Sequence, residues 1–305
     1  MKSTLKMILA AGLFIGSLAQ AATPLIGVGM AKYDDNFQVL LRNGVQSQAS
    51  SHGADVFMED GQDNGVLQLR QVRNFIASKV DAIIVTVVDM QTAPEMTRLA
   101  NEAGIPLVFI NRNPEPAQWT PNTAFVGSDE IESGTLQMEE LARRANYKGK
   151  VVVLVGDPGN KASKIRTEDV ENVVAKYPEM KIIQKKIAHW QRSEAAQYVM
   201  EWVKQGVEFD IIAANNDEMA IGAVMGLEKV GKNPKDYLIG GIDGTPDALA
   251  LMGEGKLTVS VLQSAAGQAS GAVDVAMRLI RREPVQALNW VPFKLITPEN
   301  RYEFQ

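Results

Sequence analysis

The sequence contains no cysteine, which excludes disulfides, thiol nucleophiles and cysteine-ligated metals while leaving the cellular compartment open. Histidine is nearly as scarce. The two copies, His52 and His189, have no nucleophile or metal-ligand spacing around them, so no metal site and no catalytic residue is expected. There is no basic surplus: a formal net charge of −5 and a pI of about 5.3 argue against nucleic acid and against an anionic membrane surface. Phosphate loops fail as well. Gly27-Val28-Gly29 lacks the third glycine of a dinucleotide fingerprint and has lysine at position 32, and Gly156-Asp157-Pro158-Gly159-Asn160-Lys161 lacks a Gly-Lys-Ser/Thr ending, so no cofactor is expected. Low-complexity tracts, charge blocks and solenoid repeats are missing too.

What remains is ordinary globular material, 305 residues that are 46% hydrophobic and 22% charged, a length that suits two domains. The N-terminus reads as a signal peptide. Lys2 and Lys6 form a positive n-region, Met7 to Ala19 a run too short to span a bilayer, and Ala19-Gln20-Ala21 a cleavage site. Cleavage after Ala21 leaves a secreted chain, and with no lipobox cysteine it should be soluble.

From Pro24 strands and helices alternate. Strands are predicted at 25–30, 55–58, 82–85 and 105–110, with helices at 37–51, 66–78 and 93–103 between them. A linking region, 111–121, carries Pro114, Pro116 and Pro121, and a short strand at 124–126 follows. The pattern then restarts, with strands at 151–155, 181–187, 209–213, 238–241 and 257–261 and helices at 163–177, 193–205, 218–230, 247–253 and 269–281. Two such series mean an α/β chain of two similar open lobes with parallel sheets, their strand ends facing a cleft.

The sharpest local signal is Ala213-Ala214-Asn215-Asn216-Asp217-Glu218. A buried strand runs into good N-cap residues and then into carboxylates that suit a helix start. Polar groups at the carboxyl end of a strand lie where open α/β sheets bind ligands, although Asn216 would also serve as a plain cap. The same placement recurs for Asp34, Asp35 and Phe37, for Asn111 and Arg112, and for Arg166, Trp190, Asn216, Asp243 and Gln263. Asp34-Asp35 is open to acid–base work or to capping. Together these groups offer acceptors, fixed guanidinium donors and aromatic faces without a nucleophile, the chemistry that a neutral polyhydroxy ligand requires.

The sequence resembles the periplasmic sugar-binding proteins of bacterial ABC importers, the ribose/galactose-type group, through Asn216-Asp217-Glu218-Met219-Ala220-Ile221-Gly222-Ala223 and Gly241-Ile242-Asp243-Gly244-Thr245-Pro246-Asp247. That resemblance covers the mature chain. It implies a type I periplasmic binding protein, two Rossmann-like lobes joined by a three-strand hinge: 22–128 plus 264–289, and 129–263 plus 290–305. It implies that Phe37 and Trp190 sandwich a sugar ring. Asp35, Asn111, Arg112, Arg166, Asn216, Asp243 and Gln263 would bond its hydroxyls, with Thr86 matching a further strand-end residue. Asn111 stands where the family usually has aspartate, and Gln38 departs from the ribose-type pair of consecutive aromatics. No galactose-type calcium loop is present. Ile110-Asn111-Arg112-Asn113-Pro114 and Leu295 to Asn300 look more like the inositol- and rhizopine-binding branch, which favours a cyclitol such as myo-inositol. The implied partners are a sugar or cyclitol and an inner-membrane ABC permease, with no nucleic acid and a monomeric chain. The alternatives are a ribose or hexose carrier that also serves a chemoreceptor, a secreted sugar-processing hydrolase, and a repressor. The last would need a DNA-binding helix pair where the signal peptide stands.

Overall fold

The computed structural model describes residues 22–114 and 119–304; the signal-peptide reading therefore lies outside the described residues. The first sheet is parallel throughout, in the order β11-β5-β4-β3-β1-β2. It comprises β1 (Leu25–Met30), β2 (Asp55–Asp60), β3 (Ala82–Val85), β4 (Leu107–Ile110), β5 (Thr123–Gly127) and β11 (Leu288–Trp290). Central strands are buried on both faces, which is why 82–85 and 107–110 read as unbroken apolar runs. One face packs Val28, Ile84 and Val108 against α1 (Asn36–Ser51) and α9 (Ala265–Ile280). The other packs Ile83, Val85 and Phe109 against α2 (Gly65–Ala77) and α3 (Ala93–Glu102). Gly44 lets α1 and α9 approach closely, since a Cβ there would stand 2.8 Å from that of Ala269.

The second sheet has the parallel order β7-β6-β8-β9. Its strands are β6 (Lys148–Val155), β7 (Glu179–Ile187), β8 (Ile211–Ala214) and β9 (Leu238–Gly240). Parallel bridges at Gly240–Val259 and Asp243–Leu262 extend it to β10 (Ser260–Leu262), which pairs antiparallel with β12 (Lys294–Ile296). The helices around it are α4 (Ser133–Arg144), α5 (Lys161–Val174), α6 (Arg192–Lys204), α7 (Asp217–Lys229) and α8 (Pro246–Gly253). The hydrophobic period predicts no element over 133–144, where α4 stands. The reason is visible in α4: Gln137 and Glu140 are buried within its stripe of Met138, Leu141 and Ala142, so the apolar period is interrupted. Gln137 is satisfied by donating to Ala214 O at 2.7 Å.

The chain crosses between the two sheets three times: after β5 at 128–132, after β10 at Gln263-Ser264, and between β11 and β12 at 291–293. Trp290, beside the expected 289/290 boundary, is the last residue of β11 in the first sheet. Helix starts are capped by side chains at the strand ends, as the sequence pattern requires. Asp35, Asn64, Asn160, Asn216, Thr245 and Ser264 each accept a backbone N–H bond from the first turn. Among the described residues no helix is long and apolar enough to cross a membrane.

Candidate functional site

The strand ends of both sheets and the crossovers enclose one cavity of about 160 Å³. At roughly 10–15 Å³ for each water-sized group, it holds on the order of a dozen heavy atoms, one monosaccharide-sized ring. Asp35, Phe37, Asn111 and Arg112 line it from the first lobe, and Arg166, Trp190, Asn216 and Asp243 from the second. Gln263 reaches it from a crossover. These nine residues therefore meet in one space, whereas Asp34 points to solvent and does not line it. Nor does Thr86: it is fully buried in the first lobe, and its carbonyl accepts from Gln68.

Two of the nine are helix caps. Asp35 Oδ1 accepts from Gln38 N at 2.9 Å, and Asn216 Oδ1 from Met219 N at 3.0 Å. A cap uses one acceptor, so each helix start is fixed while the rest of the side chain still borders the cavity. Asn216 Nδ2 in turn donates to Trp190 O at 3.5 Å. Asn111, Trp190 and Asp243 have φ of 67°, 65° and 135°. Positive φ is unfavourable for a bulky residue such as tryptophan, and held backbone of this kind gathers at ligand sites.

Neighbours that the sequence did not single out hold this constellation in place. Trp190 lies against Gly156, where an added Cβ would stand 2.3 Å from indole atoms. Gly156 belongs to no phosphate loop; its role is to leave room for the ring. Gly156→Ala is expected to displace the indole and weaken ligand binding at least tenfold, at an overpacking cost of about 1–3 kcal/mol. Unchanged indole fluorescence and affinity would contradict that. Asn215 supports the same corner. It is completely buried, its Oδ1 accepts from Gly156 N (3.0 Å) and Thr167 Oγ1 (3.0 Å), and its carbonyl accepts from Arg166 Nη1 at 2.8 Å. On the first-lobe side Gln38 donates to Asn111, Asn111 to Gln268, and Gln268 to Ser128 on the first crossover. Gln38 Oε1 and Asn113 Oδ1 border this wall as buried acceptors, unpaired among the described residues.

Charge is tightly arranged. Arg166 is 3% exposed; its Nε and Nη2 fork onto Glu130 at 2.9 and 3.1 Å, and Nη2 also reaches Gln263 Oε1 at 3.4 Å. Burial works against this cation, but Glu130 and Asp243 outweigh it and hold its pKa above the ordinary value. Asp243 Oδ1 stands 3.9 Å from Nη1, beyond a direct hydrogen bond, and burial pushes its carboxyl well up against the pull of Arg166. Arg112, half-buried and donating to Val87 O at 3.2 Å, is lowered by desolvation. Glu130 lies past the end of β5 on the first crossover, and only the path of that crossover brings it to Arg166, which no local pattern reports.

Beneath the site, Asp217 ties the Asp243 loop to α7. Its carboxylate accepts from Thr245 N (2.7 Å), Thr245 Oγ1 (3.2 Å) and Ser260 Oγ (2.7 Å). Burial outweighs these bonds and pushes its pKa up to about 6. An acid raised on folding binds protons more readily folded than unfolded. Its contribution is complete below the usual carboxylate range, near 4, and is lost as pH rises through about 6. The ligand-free protein is therefore expected to melt at a higher temperature at pH 5 than at pH 7, Asp243 acting in the same direction. Asp217→Asn should shrink that difference; an undiminished difference would exclude Asp217 as its source.

Comparison with known proteins decides the family: residues 26–284 match the periplasmic binding protein domain. The chain belongs to the periplasmic binding proteins. The binding protein is 44% identical over 301 residues to a Rhizobium meliloti protein named for rhizopine binding, with 97% of each chain covered. It is 36% identical to an ABC transporter solute-binding protein of Bacillus halodurans C-125 solved with myo-inositol (TM-score 0.87, 94% and 98% of the two chains covered). It is 27% identical to a solute-binding protein of Actinobacillus succinogenes 130z solved with D-allose (TM-score 0.87, 92% and 100% covered). The fold is the type I periplasmic binding protein fold, and the chain falls in the ribose/inositol branch of that family, whose member solved with myo-inositol is a solute-binding protein of an ABC transporter.

Proposed function

We propose that this chain captures a cyclitol, myo-inositol or a close relative, in the periplasm after signal-peptide cleavage and delivers it to an inner-membrane ABC permease. The observation that carries the reading is that Phe37 and Trp190 reach one ring-sized cavity from opposite lobes, among polar groups suited to hydroxyls. In this reading the two aromatic faces cover the C–H surfaces of the ring. Asp35, Asn111, Arg112, Arg166, Asn216, Asp243 and Gln263 take its rim of hydroxyls, each of which both donates and accepts. The relatives named for rhizopine and solved with myo-inositol support a cyclitol over a linear polyol or an oligosaccharide. Asp35, Asp129, Glu130 and Asp243 face Arg112, Lys161 and Arg166 around the cavity, a balance that gives an anionic ligand no net attraction.

Energetics permit it. Micromolar affinity needs about 8 kcal/mol, and hydrogen bonds to charged groups contribute about 1.5–3 kcal/mol each. Both lobes supply contacts, so ligand favours the closed arrangement, in which Asn36 Nδ2 also donates to Glu218 Oε1 across the rim at 2.8 Å. A thermal-shift screen of inositols, hexoses and pentoses tests the assignment. At a hundred times its dissociation constant a true ligand adds about 2.7 kcal/mol, a rise on the order of 5–10 °C. Myo-inositol or an epimer should produce that rise and D-allose a smaller one. A rise with hexoses alone would remove the cyclitol, and absence of compaction in solution scattering would remove ligand-driven closure.

A further inference from the structure

Glu130 is the most heavily engaged carboxylate in the cavity wall. Its Oε2 accepts from Arg166 Nε (2.9 Å) and Ser133 Oγ (3.2 Å), and its Oε1 from Arg166 Nη2 (3.1 Å) and Gln263 Nε2 (3.3 Å). It sits on the first crossover and Gln263 on the second, so the contact ties both to α5 of the second lobe. The Nε–Nη2 edge of a guanidinium is the flat fork that receives a carboxylate with two parallel bonds. In a cavity that takes a small ring, such an edge would by itself be a receptor for an acidic substituent on that ring. Here the protein fills it from within. What Arg166 has left for a ligand is Nη1, which spends one hydrogen on Asn215 O and lies 3.9 Å from Asp243 Oδ1. A hydroxyl bridges such a gap by accepting from the guanidinium and donating to the carboxylate; a second carboxylate placed there would meet Glu130 and Asp243 as like charges.

We propose that Glu130 is an internal counter-carboxylate that sets the selectivity of the cleft: by occupying the carboxylate-receiving edge of Arg166 it admits neutral rings and rejects sugar acids. This rests on the neutral-polyol reading of the same site. Truncating Glu130 removes a carboxyl from the wall, and a hexuronate carries one back on its ring, aimed at a fork that is now unfilled.

The test is isothermal titration of wild type, Glu130→Ala and Glu130→Gln with myo-inositol and with glucuronate at pH 7, each protein first checked for a cooperative melt. Wild type should bind glucuronate at least a hundredfold more weakly than myo-inositol. Glu130→Ala should bind glucuronate at least tenfold more tightly than wild type does while losing affinity for myo-inositol. Glu130→Gln, which keeps the shape and one acceptor, should gain less. Wild type accepting glucuronate as readily as the neutral ring overturns the proposal, as does a folded variant whose glucuronate affinity does not rise. Failure of the functional reading looks different: wild type then binds no neutral ring, while a glucuronate gain in Glu130→Ala still assigns the fork.

Discussion

Asp243→Ala is expected to lower affinity for the cognate ring by about tenfold to a hundredfold, the equivalent of one or more charge-assisted hydrogen bonds at ~1.5–3 kcal/mol each. Its stability should change little. The Asp243 carboxylate is buried, has Asp217, Asp35 and Glu130 as nearby like charges, and makes no hydrogen bond to Arg166 at 3.9 Å. Removing it lifts the cost of burying a carboxyl among like charges, against which stand the lost attraction of Arg166 and the cost of placing alanine at a φ of 135°. The backbone is pinned in any case, through Asp243 N to Val261 O at 2.8 Å and Gln263 N to Asp243 O at 3.1 Å. The melting point of the ligand-free variant should stay within a few degrees of wild type while titration calorimetry shows the loss. Asp243→Asn, which keeps the shape of the side chain and one acceptor, should lose less. Wild-type affinity in the alanine variant would remove Asp243 from the site.

Arg166→Met should behave in the opposite sense, failing in stability as well as binding. The guanidinium joins Glu130, Asn215 O and Gln263 in a pocket with almost no solvent. Methionine leaves the Glu130 carboxylate half-buried with only Ser133 and Gln263 as donors, close to Asp243. Breaking one side of a buried pair costs about 3–5 kcal/mol, a fall in melting temperature on the order of 10 °C. Adding Glu130→Gln to Arg166→Met should recover a good part of it, because the stranded charge goes with its partner. Strict additivity of the two substitutions would mean that the pair is not energetically coupled.

Much of the site was legible for a topological reason. In a parallel α/β sheet every loop that follows a strand emerges on the same edge, so strand-end polar residues far apart in sequence share a neighbourhood. Asp35, Asn111, Trp190, Asn216 and Asp243 needed only that rule and the strand periods. Thr86 obeyed the rule and still missed the cavity: it is fully buried, which no period reports. Glu130, Ser128 and Gln268 were illegible because they lie on or beside the crossovers, whose pairing depends on where the chain passes from one lobe to the other. Gly156 was illegible because its function is the space it leaves for a ring 34 positions later in the chain.

The sequence by itself determined the alternation of strand and helix, the capped helix starts, the two-lobe architecture and the kind of groups at the strand ends, since these follow from local propensity and hydrophobic period. Tertiary structure alone decided which of those groups oppose one another, that Arg166 is already answered by Glu130, and that Asp217 and Asp243 are acids pushed up by burial. The reason is that desolvation and charge pairing depend on contacts between segments distant in the chain, and those exist only once the lobes have packed and the crossovers are set.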